Sequence, residues 1–78
     1  LDKKLIGQRL LSLRAEKSRS EVAEAVEISI SALQMYETGK RIPRDEIKIK
    51  LADYYQKTVQ QIFFDNQHHE LQGEKHTA

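Results

Sequence analysis

A chain of 78 residues without cysteine can form no disulfide and no thiolate metal site, and it holds no cysteine nucleophile. It is long enough for one domain, whose core would bury roughly 60% of the surface that the unfolded chain exposes. A net charge of +1 points by itself to no polyanionic partner, and no apolar run approaches the ~18 residues of a membrane span.

One proline and three scattered glycines leave the chain free to be nearly all helix, so an all-α fold of five helices is expected. The first helix should cover residues 3–16, with Ile6, Leu10 and Leu13 at i, i+4 and i+7 on its buried side. Ser18 can cap a second helix over residues 19–26, and Glu21, three positions on, can complete a capping box. Val22, Ala23 and Val26 then make a narrow apolar face, where small Ala23 permits close approach of a neighbour. After the break at Glu27-Ile28-Ser29, Ser29 caps a third helix over residues 30–37. Its Leu33 and Tyr36 point inward, leaving Ile30, Ser31, Gln34 and Met35 outside. Two helices crossed at a short turn, the second with a small and mostly uncharged outer face, form a helix-turn-helix pattern, whose second helix enters the DNA major groove.

Residues 38–43 read as a loop in which Gly39 can turn left-handed at the helix end. A fourth helix follows Pro43, with Asp45 and Glu46 suited to its positive end. The run Ile47-Lys48-Ile49-Lys50-Leu51 alternates like a strand. Helix is still expected, because Ile47, Leu51 and Tyr54 or Tyr55 continue at helical spacing and a lone strand would have no partner. Thr58 and Gln61 offer another capping box for a short fifth helix ending at Ile62, Phe63 and Phe64. The domain should therefore occupy residues 1–64, and the polar residues 65–78 read as a frayed or disordered tail. His68, His69 and His76 belong to that tail. Adjacent histidines point to different sides, and no further ligand completes a tetrahedral set, so no metal is expected.

Residues 18–64 resemble the lambda-repressor-like helix-turn-helix family of the Cro type. The likeness is carried by the run Ile28 to Pro43, in which a serine-rich helix is followed by Tyr36-Glu37-Thr38-Gly39-Lys40 and a proline. Ile6-Gly7-Gln8-Arg9-Leu10 with Leu13-Arg14 matches the family's first helix, and Lys50 to Tyr54 with Val59 to Phe63 matches its last two.

The resemblance implies base contacts from Ile30, Ser31 and Met35, with Gln34 beside them. Gln34 could pair with adenine N6 and N7, and the apolar side chains could pack on a thymine methyl. Arg19 stands where the family commonly has a backbone-binding glutamine. Thr38 and Lys40 match phosphate-contacting positions, and Arg41 and Arg44 are candidates for phosphate or the minor-groove edge. Lys48 and Lys50 extend this basic stretch, while Glu21, Glu24 and Glu27 make the second helix acidic. Arg14 and Glu37 are expected to form a structural ion pair.

Two features depart from the family pattern. Glu27 holds a turn position where glycine is usual, so the turn should be strained or reshaped. The link at Lys17-Ser18 is about two residues short, so the first helix should end early or Arg14 should miss Glu37.

No nucleophile, base and orienting group assemble, and no glycine-rich phosphate loop exists, so an enzyme is not expected; nor is a cofactor or a small-molecule ligand. The resemblance implies a transcription regulator acting as a repressor on double-stranded DNA. With no membrane span and no secretion signal in the N-terminal LDKK, a cytoplasmic protein without a membrane partner is expected. A homodimer on a two-fold operator would use Ile62, Phe63 and Phe64 as its interface. The alternative is an antitoxin or adaptor whose main partner is a protein, which the weak net charge and the apolar Ile30/Met35 pair would suit.

Overall fold

The first helix starts at Asp2, a cap outside the expected pattern. The Asp2 carboxylate accepts the Lys4 and Leu5 amides at 3.1 Å each, opening α1 (Lys3–Arg14). The computed structural model describes residues 2–65, so the histidines at 68, 69 and 76 and the tail from residue 66 lie outside the described residues.

Helix α1 ends at Arg14, earlier than its pattern suggests, because the chain turns sharply at Ala15 (φ 52°, ψ −119°). Lys17 N–H donates to the Arg14 carbonyl at 3.0 Å, closing a tight turn, and the Lys17 ammonium rests 5.0 Å from the Tyr54 ring centre. Helix α2 (Arg19–Val26) begins on Ser18, whose hydroxyl accepts from the Glu21 amide at 3.0 Å. Helix α3 (Ile30–Glu37) begins the same way on Ser29, which accepts from the Ala32 amide at 3.0 Å. Helix α4 (Asp45–Tyr55) carries Asp45 and Glu46 in its first turn, where carboxylates meet the positive helix end. The last element, α5 (Gln60–Phe64), is a single π-helical turn. Its entry is a complete capping box: Gln61 N–H donates to the Thr58 hydroxyl at 3.0 Å and Thr58 N–H to the Gln61 side chain at 2.9 Å. Among the described residues there is no strand.

Three helices end in one motif. The amides of Ile28, Lys40 and Lys57 each reach back to a carbonyl five residues earlier, at 2.9 Å, closing α2, α3 and α4. Each closure needs a left-handed residue, supplied by Glu27 (φ 64°), Gly39 (φ 79°) and Gln56 (φ 58°). Only Gly39 reaches that conformation without a Cβ penalty.

Burial follows the helical spacing. Ile6 and Leu10 of α1, Val22, Ala23 and Val26 of α2, and Leu33 and Tyr36 of α3 share one core with Ile47, Leu51 and Ala52 of α4. The Ile47–Leu51 stretch is helical, with Ile49 turned out and 54% exposed. Two expectations are corrected here. Ile62 and Phe63 are 1% and 2% exposed, because α5 folds back onto α1 and Arg9 Nη1 donates to the Ile62 carbonyl at 2.9 Å. They fill the chain's own core, and of the expected interface only Phe64 keeps an open face, at 48%. Lys48 is likewise buried, with its ammonium 3.3 Å from Asp45 and 5.1 Å from the centre of the Phe64 ring, so it adds nothing to a basic surface. A lysine can do this by burying its stem and keeping its ammonium on polar or π partners.

Helix α1 crosses the end of α3 at backbone contact. A Cβ built on Gly7 would stand 2.5 Å from the Glu37 carbonyl oxygen, so only glycine fits there. That crossing fixes where the outer face of α3 points.

Candidate nucleic-acid interface

Leu33 and Tyr36 anchor α3 through its inner face, at 0% and 7% exposure. The opposite face presents Ile30, Ser31 and Gln34 to solvent, with Met35 partly buried at its edge. Helix α2 packs against both α3 and α4, and its Val22, Ala23 and Val26 are buried in the core they share. The exposed face is therefore small, uncharged and able to donate, accept and make apolar contact, which matches what base edges in the major groove offer.

Past α3 the chain is rich in cations but its amides are already committed. The hydroxyl and the amide of Thr38 both donate to the Gln34 carbonyl, at 2.8 and 2.9 Å. The Gly39 amide goes to Tyr36, and those of Lys40 and Arg41 go to Met35. What this loop has left to offer an anion is the side chains of Lys40 and Arg41, both exposed. Arg44 is exposed as well and carries a bond to Glu46 at 2.9 Å, a solvent-facing pair of little energetic weight. Lys50 is drawn off to Glu27 at 2.9 Å, and the lysine's hydrogen bond and charge hold that carboxyl below its ordinary range.

The end of α3 is pinned by a buried charge cluster. The Glu37 side chain is fully buried, with one oxygen on Arg14 Nε at 2.8 Å and the other on Arg19 Nε at 2.7 Å. Arg14 also donates through Nη1 to the Lys17 carbonyl at 2.7 Å, so the shortened link between α1 and α2 does not carry it away from Glu37. The bond to Glu37 holds the Arg14 guanidinium above its ordinary range, against the opposing pull of desolvation. Close by, the Tyr55 hydroxyl is buried without a hydrogen-bond partner among the described residues. Burial first, and the Glu37 charge second, push its pKa from 10.0 to about 12.

Arg19 and Glu37 thus meet, although the sequence points one to DNA and the other to Arg14 alone. Its one clue was an arginine at a position where the resembling family uses a neutral side chain. Among the described residues no group of His, Cys, Asp and Glu could hold a metal ion, and no helix is long and apolar enough to cross a membrane.

A family model described as helix-turn-helix matches residues 9–62, well over half of the chain and all of α2 and α3. The chain belongs to the lambda-repressor/Cro-like helix-turn-helix family. No curated protein and no solved structure matches it. Membership makes this helix-turn-helix domain a DNA-binding module of the transcription-regulator kind, with α3 in the position of the recognition helix.

Proposed function

We propose that the domain is a repressor that reads a two-fold operator in the cytoplasm by inserting α3 into the major groove. Ile30, Ser31, Gln34 and Met35 contact bases. Arg19, Lys40, Arg41 and Arg44 contact the backbone, and Thr38 contributes through its acceptor oxygen, since its donors serve the helix end. Repression follows from occupancy: a bound domain excludes the transcription machinery from the sequence it covers. The observation that carries this reading is the exposed Ser31/Gln34 side of a helix whose Leu33/Tyr36 side is locked in the core.

A single module covers only roughly 600–1,000 Å² of its surface on DNA, too little for tight specific binding. Two copies on a palindrome, with recognition helices about 34 Å apart, supply the remainder. Phe64, 48% exposed at the end of α5, is the apolar side chain that joins the copies. Selection of bound sequences from random duplexes with the purified chain tests the proposal. Recovered palindromes whose half-sites lie one helical turn apart support it. Recovery of unpaired half-sites removes the dimer, and no enrichment removes sequence-specific reading.

A further inference from the structure

Glu37 does more than lock α3 to α1. Each of its oxygens takes one arginine through that arginine's Nε, Arg14 at 2.8 Å and Arg19 at 2.7 Å. Two guanidinium groups share one carboxylate, so one positive charge is left over. Arg14 lies deeper, with 16% of its side chain exposed, and spends a further N–H on the Lys17 carbonyl. Arg19 is 32% exposed, and Nε is its one donor with a partner among the described residues. The surplus charge therefore faces solvent on the Nη edge of Arg19.

The place matters as much as the charge. Arg19 is the first residue of α2 and Glu37 the last of α3, immediately before the loop that carries Lys40 and Arg41. We propose that Glu37 is a positioning residue that holds the Arg19 guanidinium as a ready-made phosphate clamp beside the recognition helix. Nε stays on the carboxylate while the Nη groups grip phosphate oxygens. The guanidinium can hold the carboxylate through Nε and still present a planar fork to phosphate, because its five donors lie in one plane and point in several directions. A side chain already ordered loses little freedom when the anion arrives, so the contact keeps more of its binding energy. This inference rests on the DNA-binding reading and adds to it the reason that an arginine, tied to a buried acid, stands at this position.

The test is affinity for the selected duplex, measured with the full chain over a series of salt concentrations. Arg19→Gln is expected to weaken binding about tenfold, the weight of one charged hydrogen-bonded contact. It should also lower the slope of log K against log salt by about 0.9, the loss of one phosphate neutralisation. Arg19→Lys keeps the charge and the slope but still loses about fivefold in affinity, since a lysine cannot hold Glu37 and fork a phosphate together. Glu37 itself is left intact, because its loss would also free Arg14 and loosen α3 from α1; the Arg19 variants, with folding checked by circular dichroism, decide. Lys40→Gln serves as the control for a simple loop contact. An unchanged slope in Arg19→Gln beside a reduced one in Lys40→Gln overturns the clamp and leaves DNA binding intact. Wild-type affinity in Arg19→Lys overturns the role given to Glu37. A wild-type chain that binds no duplex even at low salt overturns the parent reading, and the clamp with it.

Discussion

Tyr55 shows how a single atom can register in the behaviour of the whole fold. Its hydroxyl is buried with no partner among the described residues, so Tyr55→Phe removes a desolvated group and should be neutral or stabilising by up to about 1 kcal/mol. Its pKa rises from 10.0 to about 12 in the fold, so the folded state favours the protonated phenol. That contribution is complete below pH 10 and is lost as pH climbs through about 12. Denaturant unfolding across this window should show wild type losing more stability than Tyr55→Phe; equal losses would refute the assignment. Ala15 is the opposite case, a residue in a conformation that suits glycine. With φ 52° and ψ −119°, it occupies the first central position of a type II′ turn, a place that glycine dominates. Ala15→Gly should raise stability by about 1 kcal/mol, the relief of strain exceeding the entropy glycine adds to the unfolded chain. Gln56→Gly, at φ 58° after α4, should act in the same direction. A lower melting temperature in both variants would mean that these backbones are not strained.

At the scale of elements, two opposing effects meet on Gly7. Alanine in a helix interior normally gains about 0.5–1 kcal/mol over glycine. Here the added methyl would press on the Glu37 backbone at 2.5 Å, and overpacking of that kind costs about 1–3 kcal/mol. The clash should win, so Gly7→Ala is expected to lower the denaturant midpoint and to tilt α3 enough to weaken DNA binding. A stabilised Gly7→Ala with unchanged binding would contradict the crossing of α1 over α3. The same elements show what could be read beforehand. Helices α2 and α3 were legible to the residue, because Ser18 and Ser29 cap them and the spacing of Val22, Val26, Leu33 and Tyr36 fixes their inner sides. The early end of α1 was legible as one of two alternatives, from the short link at Lys17-Ser18, but its exact place was not, since no glycine marks the turn at Ala15. Lys48 escaped although Asp45, three residues earlier on the same helix, was a legible partner, because nothing local shows that the Phe64 ring comes to cover it. The aromatic end of the chain misled for a related reason: an apolar run near a terminus fits an interface or a core equally well. Only the return of α5 onto α1 separates the two. For the interface itself, composition announced which side of α3 was exposed, whereas the sharing of Glu37 by two arginines depends on three helices meeting and has no local signature.

Over the whole molecule, a net charge of +1 conceals a division of labour. Lys40, Arg41 and Arg44 lie exposed after α3 and Arg19 reaches its last residue, while Glu21 and Glu24 are exposed on α2 and Glu27 just past its end. The sum is weak, but a field set by local cations can still steer a duplex onto one face. In the proposed function, the Ser31/Gln34 side of α3 reads bases. The most direct measurement compares wild type with Gln34→Ala and Lys40→Gln on a panel of duplexes, each carrying one base change in the selected site. Gln34→Ala should lose about 1–3 kcal/mol of discrimination at one position and leave the others unaltered. Lys40→Gln should weaken all duplexes alike, as a phosphate contact does. A Gln34→Ala protein that keeps the full wild-type pattern of preference would contradict the account.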